Sequence, residues 1–217
     1  VLEHIEGLEE FLCQVKKKLS LDGKIFFAVP DCETYIIYGD LSMFLHEHFS
    51  YFTKDTFRSI IRKFLKMKDD VEKSKYGWLS YASVSEKENT ENESKLCKNG
   101  YNYKAQSVKS LKKLREYFID NAKQKISIYV PSRAFNALYL IRDSIDFSKI
   151  DFIDDNEMLQ GTFIPGFDIA IKSRDALYDN IPERVLIMSN SFEEAIKINI
   201  DKSALHGVKI DTISEIL

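Results

Sequence analysis

Three features that would assign a protein to a class at once are missing from this sequence of 217 residues. No apolar run approaches the roughly 20 residues that a membrane-spanning helix needs, and no basic-then-apolar leader opens the chain. The cysteines are odd in number and widely spaced, without a CxxC pair: Cys13, Cys32 and Cys97. We therefore expect reduced thiols in a cytoplasmic protein that has no membrane partner.

A basic excess is also missing, because 31 Lys and Arg residues face 34 Asp and Glu residues, for a formal net charge of −3. The densest basic runs, residues 16–18 and 109–115, fall on predicted helices, where charged residues typically form solvated faces. This balance argues against a nucleic-acid partner.

Phosphate-binding patterns are absent as well, since neither GxGxxG nor a Walker motif occurs. The chain opens with Val1-Leu2-Glu3-His4, without Met or an approach to a first element. We therefore expect that it begins inside a longer protein and that any nucleotide-binding loop of the first half lies upstream of Val1.

The first half carries an α/β pattern. Apolar residues at helical spacing predict a helix over 7–19, and "KIFFAVP" predicts a strand buried on both faces of a mainly parallel sheet. Residues 31–38 predict a loop. Thr53 is the predicted N-cap of a second helix with a buried face at Phe57, Ile60, Ile61, Phe64 and Leu65. "DDVEKSKYG" and "WLSYASVSE" then predict an antiparallel pair around Gly77.

The second half follows a polar stretch without a period. Beyond it, an amphipathic helix is predicted with its apolar face at Val108, Leu111, Leu114, Phe118 and Ala122. Strands and helices then alternate, which predicts an open parallel sheet of the flavodoxin-like or Rossmann-like kind. The chain is thus expected to be α/β, with a truncated Rossmann-like half over 1–88, a linker over 89–106 and a second small domain over 107–217.

Two histidines and several aromatic residues crowd into "DLSMFLHEHFSYFTKDTF", residues 40–57. A metal site at His46, Glu47 and His48 is disfavoured, because side chains two apart diverge on a helix and two ligands on a strand leave a zinc site incomplete. We therefore expect no metal. Two interpretations stay open: packing or surface histidines, and a proton-transfer site with one imidazole oriented by a carboxylate and walled by aromatic rings.

The expected second sheet offers little for a dinucleotide. Its first turn, "YVPSRAFNAL", has no glycine, so the backbone cannot easily approach a pyrophosphate. Asp154 and Asp155 end the next predicted strand, where a ribose-binding acid would lie. The simpler interpretation is that one of them caps the segment that follows.

Three stretches resemble a known family. "VLEHIEGLEEFLCQVKKKLSLDGKIFFAVPD" resembles the second half of the Rossmann-like domain of S-adenosylmethionine-dependent methyltransferases. Residues 45–52, "LHEHFSYF", resemble a segment of the sugar C-methyltransferases. The C-terminal domain of that branch is matched by Asp154-Asp155-Asn156, Gln160-Gly161, Ile164-Pro165-Gly166 and Ile169-Ala170-Ile171.

The resemblance implies an activity: methyl transfer from S-adenosylmethionine to carbon of a nucleotide-linked keto sugar. His48 would be the base, with Glu47 assisting. Substrate would be bound by Tyr51, Phe52, Asp154 and Asn156. The loop that binds the methyl donor is expected upstream of Val1, and the donor itself could lie near Glu3 and His4. Without that loop, the isolated chain should show little or no activity.

Two alternatives accompany this expectation. Leu45 stands where the family has tyrosine, which leaves room for an O- or N-methyltransferase on the same scaffold. The second half could instead serve as a non-catalytic module that binds the nucleotide part of the substrate or pairs subunits in an oligomer.

Overall fold

The computed structural model describes residues 1–20, 22–44, 47–65, 70–74, 77–84, 103–190, 192–200 and 204–217. The chain divides into two compact units. Unit 1 comprises Val1–Ile37 and Phe44–Asn102, and unit 2 comprises Tyr38–Met43 and Tyr103–Leu217. Residues 38–43, which the sequence assigned to the first domain, therefore cluster with the second. The expected linker lies outside the described residues up to position 102.

The helices of unit 1 are α1 (Leu8–Lys18), α2 (Glu33–Tyr38, whose last residue clusters with unit 2) and α3 (Lys54–Leu65). Helices α1 and α3 confirm the predicted apolar stripes, since Leu8 and Leu12 are buried on one and Phe57, Ile61 and Leu65 on the other. Thr53 caps α3 as predicted: its Oγ1 accepts a hydrogen bond from the Thr56 amide at 3.3 Å, and Thr56 Oγ1 accepts one from the Thr53 amide at 2.9 Å.

The prediction of a loop over 31–38 is wrong for residues 33–38, which form α2. The Asp31 side chain accepts a hydrogen bond from the Glu33 amide at 3.0 Å and so caps the start of the helix. None of the α2 side chains is buried. A helix without a buried stripe leaves no periodic apolar signal, which explains why the sequence did not reveal it.

Unit 1 contains a three-stranded sheet in the order β1-β3-β2, formed by β1 (Lys24–Pro30), β2 (Glu72–Lys73) and β3 (Trp78–Val84). The predicted antiparallel pair around Gly77 is confirmed. β1 is a strand as predicted, but it is not part of a parallel sheet and is not buried on both faces. It pairs antiparallel with β3, and Phe26 is 67% exposed. An apolar run identifies a strand, but only the pairing in space decides its partner and the face that is covered.

Unit 2 confirms the predicted open parallel sheet. Its strands are β4 (Ile126–Tyr129), β5 (Ile150–Ile153), β6 (Ile171–Lys172), β7 (Arg184–Ile187) and β8 (Lys209–Thr212). They run parallel in the order β6-β5-β4-β7-β8. Numbered along the sheet's own strands this is 3-2-1-4-5, the Rossmann-type order and not the flavodoxin-type one.

The helices of unit 2 are α4 (Tyr103–Asp120), α5 (Phe135–Ile141), α6 (Ala176–Asp179), α7 (Glu193–Asn199) and α8 (Ile213–Ile216). Alternate residues of the central strands contribute to two hydrophobic clusters, because successive side chains point to opposite faces of a sheet. Ile126, Ile128 and Leu186 belong to one cluster, and Tyr129, Val185 and Ile187 belong to the other.

The predicted apolar face of α4 is correct at Leu114 and Phe118, which are buried. It is wrong at Val108, which is 61% exposed, and at Ala122, which is exposed. Ser107 and Ser110 are buried instead, and Ser110 donates a hydrogen bond to the carbonyl of Tyr38. The first half of α4 thus packs against the 38–43 segment, whose backbone carbonyl at Tyr38 needs a hydrogen-bond donor and not an apolar side chain. Gly39, with φ of +66°, touches the α4 backbone where no side chain would fit.

No helix within the described part of the chain combines the length and the apolar character needed to cross a membrane.

Candidate functional site

The segment that carries His48 lies at the carboxyl end of β1. Asp31, which follows β1, forms a parallel bridge with Phe52, and the Cys32 amide donates a hydrogen bond to the Phe52 carbonyl at 2.7 Å. Phe52 is 2% exposed and packs against Phe57, with ring centroids 5.3 Å apart. Phe52 therefore anchors the segment in the core and offers little surface to a substrate.

A second anchor is the short 3-10 turn Leu2–His4. The amides of Phe49 and Ser50 both donate to the Glu3 carbonyl, at 2.8 and 3.2 Å. His4 Nδ1 lies 3.1 Å from the Glu47 carbonyl, 43 positions away. Because a carbonyl can only accept, His4 Nδ1 carries a proton in this contact.

His48 lies among aromatic rings, as the sequence suggested. Its ring is half-buried and lies 4.7 Å from the ring of His4 and 5.8 Å from that of Tyr51. Burial lowers the pKa of His48, and the nearby His4 lowers it further, while the charges of Glu3 and Glu47 act in the opposite direction. The neutral imidazole, which can accept a proton, is thereby favoured.

The two glutamates of the site differ in placement. Glu47 is exposed and acts on His48 through its charge. Glu3 is 5% exposed, with Oε1 3.6 Å from His4 Nε2 and Oε2 2.8 Å from the Val1 amino nitrogen. Burial alone would raise the pKa of Glu3. Hydrogen bonds from the Val1 amino group and from the Glu3 amide lower it, as do the charges of that amino group and of His4, so the pKa of Glu3 lies below its usual value.

The structure thus brings Glu3, His4, His48 and Tyr51 together within unit 1. From the sequence, Glu3 and His4 were associated only with the methyl donor, because nothing in a linear pattern shows that the 2–4 turn folds against the 47–50 loop. Leu45 and His46 lie outside the described residues.

Asp31 and Cys32 border this site and were not identified from the sequence. The Asp31 carboxylate is buried and lies 2.6 Å from Lys73 Nζ, so its charge is balanced. Burial raises the pKa of the neighbouring Cys32 thiol to about 11. A thiol with so high a pKa is a poor nucleophile at neutral pH, and we assign Cys32 a packing role.

Asp154 and Asn156 lie in unit 2, after the carboxyl end of β5. Asp154 Oδ1 accepts a hydrogen bond from the Asn156 amide at 2.9 Å, and Asn156 Oδ1 accepts one from the Met158 amide at 3.1 Å. The capping interpretation is therefore confirmed for Asp154. Its Oδ2 is buried and has no hydrogen-bond partner within the described part of the chain, and burial raises the pKa of the carboxyl group.

A polar network that the sequence did not reveal adjoins this turn. Tyr129 donates a hydrogen bond to Asp155 Oδ1 at 2.6 Å, and Arg174 makes two bonds to the same carboxylate, at 2.6 and 3.0 Å. Burial raises the pKa of Tyr129, and the bond to Asp155 raises it further. The network is internally paired, so Asp155 is engaged in structure.

S-adenosylmethionine needs a turn whose backbone can approach it closely, usually a glycine-rich one at the carboxyl end of a parallel strand. The turns that follow β1, β4, β5 and β7 in the described structure contain no glycine within their first three residues. After β4 the left-handed position that glycine favours is held by Val130, with φ of +58°. The residues present therefore do not fit the methyl donor.

The family model described as the C-methyltransferase C-terminal domain matches residues 61–210, which is more than half of the chain. No curated protein matches the chain.

Proposed function

The chain belongs to the C-methyltransferase C-terminal domain family, and from that membership we propose that it acts in S-adenosylmethionine-dependent methyl transfer to carbon. The proposed acceptor is a keto sugar linked to a nucleotide, and the proposed location is the cytoplasm. One observation carries the proposal: a half-buried histidine, with surroundings that favour its neutral form, lies beside an imidazole and a tyrosine ring at the carboxyl end of β1.

The chemistry explains why a base is needed. A carbon atom next to a ketone is a poor nucleophile until it loses a proton, and the electron pair of that C–H bond then forms an enolate. His48 would accept this proton through its free lone pair and become an imidazolium ion. S-adenosylmethionine would supply the electrophilic methyl group that the enolate carbon needs. The chain's own task is to generate the enolate.

The neighbours of His48 suit this task. The Glu3 and Glu47 carboxylates favour an imidazolium ion at position 48 once it has formed. Tyr51 forms one wall beside the base and excludes water from part of its surface. The backbone bonds from Phe49 and Ser50 to Glu3 hold the loop that presents the base, and a held base loses less orientational freedom in the transition state.

Proton abstraction can be measured without a methyl donor. The chain is incubated in D2O with nucleoside diphosphate-linked keto hexoses, and proton NMR follows the loss of the signals next to the ketone. We expect exchange above the buffer rate for one substrate and a drop of about a hundredfold in His48→Asn, in the range typical of a lost general base.

Glu10→Gln is the matched control, because Glu10 is exposed on α1. Exchange that is unchanged in His48→Asn would contradict the assignment of the base. Incubation of an active preparation with S-adenosylmethionine, followed by NMR of the product, would separate methyl transfer to carbon from transfer to oxygen or nitrogen, the alternative that Leu45 suggested.

A second role is supported by Asp154. A buried carboxylate oxygen without a partner costs roughly 1–3 kcal/mol, and this one lies after the second strand of a Rossmann-type sheet, where ribose hydroxyls bind in such folds. We propose that unit 2 binds the nucleotide part of the substrate through Asp154 and Asn156. A ribose hydroxyl would donate a hydrogen bond to Oδ2.

Calorimetric titration with a nucleoside diphosphate tests this role. We expect binding that weakens at least fivefold in Asp154→Asn and in Asn156→Ala, while Asp168→Asn, at an exposed position of the same unit, leaves it unchanged. Equal affinity in all four chains would limit Asp154 to capping its turn.

A further inference from the structure

The cluster that includes the proposed base has the composition of a metal site. One ligand atom each from Glu3, His4 and His48 lies within 4.8 Å of the other two. Two imidazoles and one carboxylate are the three protein ligands of a common class of zinc site, in which a water molecule or substrate takes the fourth position. The sequence led to the opposite expectation, because only His46, Glu47 and His48 were considered as ligands and their spacing does not suit a metal.

The distances are close to those that zinc requires. Ligands 2.0–2.2 Å from a tetrahedral zinc ion are about 3.4 Å from each other. His4 Nε2 and Glu3 Oε1 are already 3.6 Å apart. The third ligand, on His48, needs a further approach of up to about 1.4 Å, which a rotation of the half-buried ring would provide.

The surroundings orient these ligands as metal sites do. A ligating histidine usually donates its second ring N–H to a carbonyl or carboxylate, which directs the other nitrogen to the metal. His4 does so through Nδ1 to the Glu47 carbonyl at 3.1 Å, and Nε2 is the atom that faces Glu3. The amides of Phe49 and Ser50 bind the Glu3 carbonyl, which ties the turn bearing Glu3 and His4 to the loop bearing His48.

The charge of the cluster also suits a cation. The Glu3 carboxylate is almost fully buried, and the Val1 amino group at 2.8 Å is the cation beside it. A buried carboxylate is stable only when paired or liganded. A divalent ion at the cluster would provide such a contact for Glu3.

We propose that Glu3, His4 and His48 bind Zn2+, and that the bound ion closes the base site by taking the His48 lone pair. The second part rests on the proposed function, because only a base needs that lone pair free. Zinc binding and proton abstraction are then mutually exclusive at His48, and zinc is an inhibitor of the acceptor side.

Binding is tested with ZnCl2 alone, by calorimetric titration of the apo chain, and with CoCl2, whose tetrahedral complexes absorb visible light. We expect one ion per chain, and at least tenfold weaker binding in each of Glu3→Gln, His4→Phe and His48→Asn. His206→Asn and Cys13→Ser are matched controls, because both residues are exposed and lie outside the cluster.

Two further measurements separate loss of the zinc ligands from loss of the fold. Thermal unfolding followed by Trp78 fluorescence shows whether each variant folds, and zinc should raise the midpoint of the wild-type chain but not of the ligand variants. A chain acetylated at Val1 should still bind zinc. Loss of binding on acetylation, or full binding in the His48 variant, would overturn the site.

The proposed inhibition of proton abstraction by zinc is measured in the D2O exchange reaction. We expect zinc to abolish exchange and EDTA to restore it. If zinc binds but no substrate exchanges with or without EDTA, the metal site stands and the proposed function fails. If exchange depends on His48 and zinc has no effect on it, the base stands and the inhibitory role fails.

Discussion

The ring of His4 stands edge-on to the ring of His48, with centroids 4.7 Å apart and an angle of 79° between the planes. The contact joins the first turn of the chain to the loop that precedes α3. It gives the proposed base a polar neighbour whose own orientation is set by the Glu47 carbonyl. We therefore propose that His4 positions His48.

His4→Phe should keep a ring against His48 but remove the hydrogen bond to the Glu47 carbonyl. A net hydrogen bond contributes about 1 kcal/mol, so we expect the rate of His48-dependent proton exchange to fall roughly fivefold. His4→Gln retains a donor that can reach the carbonyl and should recover part of the rate. Equal rates in the two variants would show that the bond does not position the base.

Thr53→Ala should destabilise unit 1 by about 1 kcal/mol, because it removes the side-chain oxygen that accepts from the Thr56 amide at the start of α3. Urea denaturation followed by the fluorescence of Trp78, the single tryptophan, reports on this unit. Thr34→Ala, at an exposed position of α2, is the control and should change the free energy of unfolding by less than about 0.5 kcal/mol.

Asp40 should titrate above the usual range of aspartate. Burial raises the pKa of its carboxyl group, although hydrogen bonds from Ser42 and Asn190 oppose the shift. NMR titration of the carboxyl carbons would show this, with Asp146 as an internal control whose pKa is lowered by hydrogen bonds from Ser148.

The same shift has a consequence for stability. The folded chain keeps the Asp40 proton at pH values where the unfolded chain has released it, so the free energy of unfolding should fall as pH rises through the raised pKa. Asp40→Asn should remove that decrease. A difference between wild type and variant that does not change with pH would contradict the assignment.

Cys13 and Cys32 should differ in reactivity. Cys13 is exposed, whereas burial raises the pKa of Cys32 to about 11. A thiol with so high a pKa carries very little thiolate at pH 8, and its burial also keeps reagents away. Peptide mass spectrometry after brief treatment with iodoacetamide should find Cys13 modified and Cys32 intact. In the chain unfolded by urea, Cys13 and Cys32 should react with iodoacetamide at similar rates.

The sequence predicted those elements whose cause is local. Apolar residues at helical spacing located α1 and α3, and alternating strands and helices predicted the parallel sheet of unit 2. Thr53 was identified as a cap because the residue type and its place before an apolar stripe are themselves the signal. The short strand β6 and the exposed helix α2 were missed, since neither is long enough or buried enough to leave a period.

The site shows the limit of such reasoning. The chemistry of "LHEHFSYF" pointed to His48 as a residue of interest, because histidine is the side chain that exchanges protons near neutral pH. Nothing in that stretch indicates that Glu3 and His4 would be its neighbours, or that Phe52 would be buried beneath it.

What the sequence determined by itself is the α/β class, the principal helices and the chemical character of the 40–57 segment, since each follows from the order of residue types along a few turns or strands. Tertiary structure decided the antiparallel partner of β1, the strand order of unit 2, the membership of residues 38–43 and the cluster around His48. These depend on contacts between segments far apart in the chain, and such contacts form only when the free energy of burying whole surfaces exceeds the entropy lost on bringing them together.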